Sequence, residues 1–128
     1  MLVSFEISVG DFIDRYTIAE IKTERIGSEA LKDDLKSRYE PMYKNLLETS
    51  FSKSVVETYN ALRDVNTKLW DIEDDIRNAI NNDDISDLSK AIISLNDARA
   101  FHKRKLDQVF GFVGDPKKYT GVFRNYSI

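Results

Sequence analysis

Three groups of side chains that can carry chemistry fall along helical stripes where apolar residues would be expected. They are Thr17, Glu20 and Glu24; Asn66, Trp70, Glu73 and Arg77; and Asn96, Arg99 and Lys103. A helical-bundle core normally excludes unpaired charges, because removing a charge from water is costly. We therefore predict that the three groups meet in one polar cluster between helices.

The charges of this cluster leave two alternatives open. The acids Glu20, Glu24 and Glu73 are the candidate partners of the cations Arg99 and Lys103, in a closed salt-bridge network that needs no ligand. In an open arrangement, Arg77, Arg99 and Lys103 would instead offer donors suited to a phosphate or a carboxylate. The ten residues are thus predicted to recognise a small anionic ligand or a protein partner, and the sequence assigns no catalytic residue.

A magnesium-dependent enzyme is the alternative hypothesis. All-α nucleotide pyrophosphohydrolases hold magnesium through paired acids on two helices, and Glu20, Glu24 and Glu73 could supply the carboxylate oxygens that this ion prefers. The spacing departs from that pattern, because Glu20 and Glu24 are four apart and Ile76 stands three residues after Glu73. We favour a non-catalytic binding or accessory protein without a cofactor.

Capping signals and hydrophobic periodicity predict the helices that position these residues. Ser8 and Asp11 resemble a capping box before a helix over 9–26, which Gly27 ends. Ser28 can cap a second helix, and Pro41 predicts a kink or a break within it.

Two longer helices complete the prediction. The first runs from about Lys53 to Asn81, with apolar residues alternating at spacings of three and four. The second runs from about Ile85 to Phe110, with Asp84 in position to cap it. Long helices joined by short turns pack as antiparallel neighbours.

The predicted fold class is therefore all-α. We expect an antiparallel bundle of three long helices and a shorter kinked one, forming a single domain over residues 1–128. Alternation of apolar and polar residues predicts a short strand or extended arm over residues 1–8. The tail, 112–128, is expected to be irregular, with Tyr119 to Tyr126 a weak candidate for a strand paired with the arm.

Composition narrows the classes of function. The 128 residues include no Cys and one His, His102, so thiolate sites, disulfides and multi-histidine metal sites are excluded. A formal net charge of −3 argues against nucleic-acid binding. No stretch predicts a signal peptide or a membrane span, so we expect a cytoplasmic protein. Val56, Tyr59 and Phe101 are expected to be exposed, which is compatible with a homodimer.

Three segments carry a resemblance to a known family. The runs SVGDFIDRYTIAEIKTERI, NTKLWDIEDDIR and LNDARAFHKRKL resemble the signature segments of a small helical protein family of unknown function found in bacteria and phages. The resemblance implies that these segments belong together, and it implies a host cytoplasm if the chain is phage-encoded. It implies no reaction.

Overall fold

The computed structural model describes residues 1, 3–4, 6–79 and 82–111, without the side chains of 82–84. Its described part contains five α-helices and one π-helical turn. The elements are α1 (Val9–Ile26), α2 (Glu29–Asp34), a π-helical turn (Leu35–Tyr39), α3 (Glu40–Leu47), α4 (Ser52–Asn78) and α5 (Asn82–Val109). The all-α prediction is confirmed. The predicted tail, 112–128, lies outside the described residues, together with its candidate strand.

Helix α1 has both of its predicted ends. The Ser8 hydroxyl accepts a hydrogen bond from the Asp11 amide at 3.1 Å, which satisfies a donor that the first turn leaves free. At the other end, Gly27 adopts φ 73°, and its amide donates to the Thr23 carbonyl. Glycine suits this left-handed conformation because it has no Cβ. These two ends fix where α1 begins and where it stops.

The predicted interruption at Pro41 takes the form of a π-helical turn. Ser28 caps α2 as expected, by accepting from the Leu31 amide at 3.1 Å. The chain then widens into the π-turn immediately before α3, whose first turn contains Pro41. Because proline has no amide hydrogen and its ring crowds the preceding turn, a wider turn accommodates it without ending the helix.

Two boundary predictions and one predicted cap need correction. Helix α4 ends at Asn78 and not near Asn81, and α5 begins at Asn82 and not near Ile85. Asp84 therefore belongs to the first turn of α5 and does not precede the helix as a cap. For residues 1–8 we left a strand or an extended arm open, and no residue described there belongs to a strand. Alternation over so short a segment does not form a strand without a partner strand to accept its hydrogen bonds.

Helices α1, α4 and α5 pack on one another, while the α2–π–α3 segment lies against α1 and α4. The core contains Ile13 of α1, Leu46 of α3, Val55 and Leu62 of α4, and Leu106 of α5. Burial of these side chains is the main force that assembles the bundle. Helix α3 thereby covers one side of the core that α1, α4 and α5 form, and its Leu46 is the side chain buried there.

Helices α1 and α5 approach each other closely at Gly10. A Cβ at this position would lie 2.3 Å from the Lys103 carbonyl oxygen, so no larger residue fits without a shift of the backbone. The Gly10 amide donates to the buried Asp107 carboxylate at 2.6 Å. This contact fixes the register of the two helices, which in turn sets the positions of the polar side chains one and two turns away.

No helix in the described ranges is both long and apolar enough to cross a membrane.

Candidate functional site

Asp14 is the centre of the polar contacts between α1, α4 and α5. Its side chain is 3% exposed, and Arg99 of α5 binds it through two parallel contacts. Arg99 Nε lies 2.8 Å from Asp14 Oδ1, and Arg99 Nη2 lies 2.6 Å from Asp14 Oδ2. This bidentate geometry is the strongest that a guanidinium and a carboxylate can form. Asp14 therefore holds the Arg99 guanidinium in one orientation.

Asn66 of α4 joins this pair from the third helix. Its Nδ2 donates to Asp14 Oδ1 and to Thr17 Oγ1, both at 2.9 Å. The Thr17 hydroxyl uses its own hydrogen to donate to the Asp14 carbonyl oxygen at 2.7 Å, so it must accept from Asn66. Two acceptors thus fix the direction of the Asn66 amide.

The charge of Asp14 is matched in spite of its burial. Burial by itself raises the pKa of this carboxyl. Hydrogen bonds from Arg99 and Asn66, together with the charges of Arg99 and Lys103, outweigh that effect and lower the pKa below its ordinary value. The same hydrogen bonding raises the pKa of Arg99. Asp14 is therefore an anion in the folded protein at neutral pH.

Lys103 extends the network by one turn of α5. Its ammonium nitrogen lies 2.6 Å from Asp11 Oδ1 and 3.7 Å from Asp14 Oδ2. Two acids of α1 thus face two cations of α5, and their charges balance. We call Asp11, Asp14, Thr17, Asn66, Arg99 and Lys103 the Asp14 network.

The predicted partners of Arg99 and Lys103 were wrong. These cations bind Asp14 and Asp11, whereas we expected Glu20, Glu24 and Glu73. Asp14 follows Gly10 by four residues and precedes Thr17 by three, so all three share one stripe of α1. A glycine in that stripe was the available signal, because it marks where a neighbouring helix comes closest.

Glu20 and Glu24 belong to a second polar group, which is centred on Arg63 of α4. Arg63 forms a salt bridge with Glu24 through Nη2, and its Nη1 lies 3.5 Å from Glu20 Oε1. The Tyr59 hydroxyl donates to the same Glu20 oxygen at 2.6 Å. Sequence reasoning missed Arg63, although it stands at a spacing of three before Asn66.

Tyr59 connects this second group to a cluster of aromatic rings. Tyr16, Tyr39, Tyr43 and Tyr59 lie with neighbouring ring centroids 4.9–6.0 Å apart. Burial, followed by the negative charge of Glu20, raises the pKa of Tyr16 to about 12. Tyr59 was expected to be exposed, but it packs against the core. Val56 and Phe101 are exposed as expected, at 40% and 47%.

Arg77 lies apart from both groups. It forms a salt bridge with Asp74, three residues earlier on the exposed face of α4. Arg77 therefore does not join the polar contacts between the helices.

A cavity of about 190 Å³ lies beside the Asp14 network. Five of the ten predicted site residues line it, namely Asn66, Trp70, Glu73, Asn96 and Arg99. Its other walls are Lys22 and three apolar residues, Ile18, Ile21 and Leu69. We call this space the Trp70 cavity. The structure therefore brings half of the predicted site to one opening, between helices α1, α4 and α5.

The remaining predicted residues do not line this cavity. Thr17 and Lys103 belong to the Asp14 network behind it, Glu20 and Glu24 bind Arg63, and Arg77 binds Asp74. Lys22 was not among the predicted residues. Its position four residues after Ile18, on the edge of the apolar face of α1, was the signal for it.

The three carboxylates of the magnesium hypothesis do not converge. Glu20 and Glu24 bind Arg63, while Glu73 lines the Trp70 cavity. Within residues 1–79 and 82–111, as far as the structure describes them, no three acidic or histidine side chains form a group suited to a metal ion.

Comparisons of the chain with models of protein families, with curated proteins and with solved structures found no match.

Proposed function

We propose that the protein is a non-catalytic binding protein that takes a small organic anion in the Trp70 cavity. The observation that supports this proposal is the composition of the cavity wall: an indole, two amides and a guanidinium surround an apolar floor. Ligand sites commonly combine a mostly apolar lining with a few fixed polar groups.

The Arg99 guanidinium would supply a fixed donor. Nε and Nη2 bind Asp14, whereas Nη1 has no hydrogen-bond partner among the residues that the structure describes. Because Asp14 is almost fully buried, the guanidinium cannot rotate away without leaving a buried charge unpaired. A ligand that bound Nη1 would therefore meet a donor whose orientation is already set, and preorganisation of this kind favours affinity.

Lys22 would supply the charge for the anionic group. The Asp14 network is balanced, so the positive charge of Arg99 is already offset. Lys22 stands on the wall of the cavity and forms no ion pair with any described residue. Glu73 stands on the same wall, so a ligand with an anionic group at one end and hydrogen-bond donors at the other would match both side chains.

Trp70 offers a direct test, because it is the chain's single tryptophan. Its fluorescence, excited where tyrosine does not absorb, is titrated with phenyl phosphate, which carries both a ring and an anion. We expect a saturable change in emission. We also expect Lys22→Ala to weaken binding about ten-fold, as for the loss of one charge-assisted contact of roughly 1.4 kcal/mol.

The matched control is Lys68→Ala, which removes an exposed lysine of α4 that is paired with Asp64 outside the cavity. It should bind phenyl phosphate as the wild type does. Emission that stays flat with phenyl phosphate, or that changes equally in both variants, contradicts the proposal.

We further propose membership of the bacterial and phage family that the three sequence segments resemble, and a location in the bacterial or host cytoplasm. The segments SVGDFIDRYTIAEIKTERI, NTKLWDIEDDIR and LNDARAFHKRKL fall on α1, α4 and α5. These are the three helices that contribute residues to the Trp70 cavity, which supports the view that the segments act together.

A further inference from the structure

A second cavity adjoins the first across α1. It measures about 330 Å³ and lies between α1 and the α2–π segment. Its walls include Arg15, Ala19, Thr23, Leu31, Asp34 and Tyr39. Ile18 and Lys22 line both cavities, so the two spaces share one wall. Together they fall within the range of about 300–1,000 Å³ that is typical of small-molecule sites.

The two cavities differ in what they can recognise. The Trp70 cavity has an aromatic ring, an apolar floor and two amides, which suit a planar heterocycle. The second cavity has the cation Lys22, and its acid, Asp34, forms a salt bridge with Arg38 at 3.1 Å. Arg15 also lines this cavity, but it already has a partner of its own. The hydroxyl of Tyr39 has no hydrogen-bond partner in the described part of the chain. These groups suit a phosphate.

Asn66 adds a requirement on the heterocycle. The residue is 5% exposed, and both of its fixed contacts are made by Nδ2. Its Oδ1 accepts no hydrogen bond from any residue that the structure describes, and Asn66 is one of the residues that line the cavity. An acceptor with no protein donor is open to a hydrogen bond from a ligand, and a ligand that donates to it would gain that bond.

Glu73 on the cavity wall is also an acceptor in its ionised form. Two acceptors, Asn66 Oδ1 and the Glu73 carboxylate, therefore favour a ring that carries an amino group over one that carries only carbonyl oxygens. The Nη1 group of Arg99 could donate to a ring nitrogen at the same time. An amine-bearing nucleobase has this combination of donors and acceptors.

We infer that the ligand is a nucleoside monophosphate with an amine-bearing base. The base occupies the Trp70 cavity, and the phosphate lies beyond Ile18, beside Lys22 and in the second cavity. This inference rests on the proposed function and specifies its ligand class. The shared wall of Ile18 and Lys22 is what connects the two halves of the site.

The test compares AMP, IMP and phenyl phosphate by the fluorescence of Trp70 in the full chain. AMP and IMP differ in having an amine or a carbonyl at the same ring position. We expect AMP to bind about ten-fold more tightly than IMP, as for the gain of one hydrogen bond to the protein. We also expect AMP to bind more tightly than phenyl phosphate, which cannot reach the second cavity from the first.

Ala19→Leu tests the second cavity separately, because it fills that space from the wall that does not face Trp70. It should weaken AMP about ten-fold and leave phenyl phosphate unchanged. Far-ultraviolet circular dichroism shows whether the variant is folded, and Tyr39→Phe, which removes one hydroxyl, provides a second and milder variant that should also weaken AMP alone.

The outcomes separate the two proposals. If phenyl phosphate binds but AMP gains nothing over it and neither variant affects AMP, the nucleotide inference is overturned and the small-anion function stands. If AMP and IMP bind equally, the role of Asn66 and Glu73 in choosing the base is overturned. If none of the three compounds changes the emission, both proposals fail.

Discussion

At the scale of single residues, the pairing of Asp14 with Arg99 distinguishes this bundle core from an ordinary apolar one. Asp14 is buried, and its partners come from two other helices. A salt bridge of this kind need not stabilise a fold relative to a well-packed apolar core. What it does supply is orientation, since the same contact sets the direction of the guanidinium that lines the Trp70 cavity.

Removal of Arg99 should therefore destabilise the protein strongly. In Arg99→Met, the Asp14 carboxylate stays buried without its main partner, at a cost of about 3–5 kcal/mol in the free energy of unfolding. Urea denaturation measures the change. Arg77→Met is the matched control, because its exposed salt bridge with Asp74 is worth less than about 1 kcal/mol. Equal losses in the two variants would contradict the structural role given to Asp14.

Tyr16 should ionise unusually late for a tyrosine. Its pKa is raised to about 12 because the ring is buried and lies near Glu20. The folded state favours the neutral phenol, so this contribution to stability is complete below the ordinary pKa of 10.0 and is lost as the pH rises toward 12. Chemical denaturation between these pH values should show a smaller loss of stability in Tyr16→Phe than in the wild type. An identical loss in both would be inconsistent with this account.

At the scale of elements, the contact between α1 and α5 at Gly10 decides where the Asp14 network can form. The Gly10 amide binds Asp107, and the backbone of α5 lies where a side chain would otherwise stand. The close approach brings Asp11 within reach of Lys103. One turn further along each helix, it brings Asp14 within reach of Arg99. A polar network with short contacts on both helices thus depends on a residue without a side chain.

Gly10→Ala should separate these helices. The new methyl group would meet the Lys103 carbonyl oxygen at 2.3 Å and the Asp107 carboxylate at 2.8 Å, so we expect a loss of about 1–3 kcal/mol in the free energy of unfolding. Because the cavity between the helices would also change shape, the emission of Trp70 should shift.

Gly27→Ala is the matched control for that experiment. Its Cβ would meet no atom within 4 Å, and the cost would come only from the left-handed backbone at φ 73°. We expect about 1 kcal/mol and an unchanged Trp70 emission. A larger effect at Gly27 than at Gly10 would refute the close contact as the determinant of helix register.

At the scale of the whole molecule, two ionisable groups, the half-buried His102 and the buried Asp14, connect folding to pH in separate ranges. Burial, and then the charge of Lys105, lowers the pKa of His102 below its ordinary 6.5. The unfolded chain therefore takes up a proton first as the pH falls through 6.5, and stability declines over that range. His102→Gln should flatten this decline in chemical denaturation profiles, and a profile that keeps the decline would contradict it.

Asp14 should affect the stability of the folded protein at lower pH than His102 does. Its pKa in the folded protein lies below the ordinary 3.8, so its contribution to stability is present above 3.8 and is lost as the pH falls through the folded value. The wild type should accordingly lose stability steeply below about pH 4, and Asp14→Asn should show a shallower slope there from a lower starting stability. Equal slopes in the two proteins would mean that another carboxylate controls acid unfolding.

The sequence by itself determined the helices and most of their ends. Ser8, Gly27 and Ser28 act through bonds within a few residues, so their roles do not depend on the rest of the molecule. Periodicity showed in the same way that Asn66, Trp70, Arg99 and their neighbours lie on inward faces. Local spacing also indicated an interruption at Pro41, since a proline acts on the turn that precedes it.

Only the tertiary structure decided which of the inward polar groups meet. Asp14 and Glu20 stand six residues apart, about 120° around α1 and about 9 Å along it, and periodicity alone does not decide which of them faces Arg99. The close packing at Gly10 resolves it, because two backbones can touch only where the side chain between them is absent. The cavities on either side of Ile18 depend on the same packing, since each is the space left between helices that are distant in the sequence.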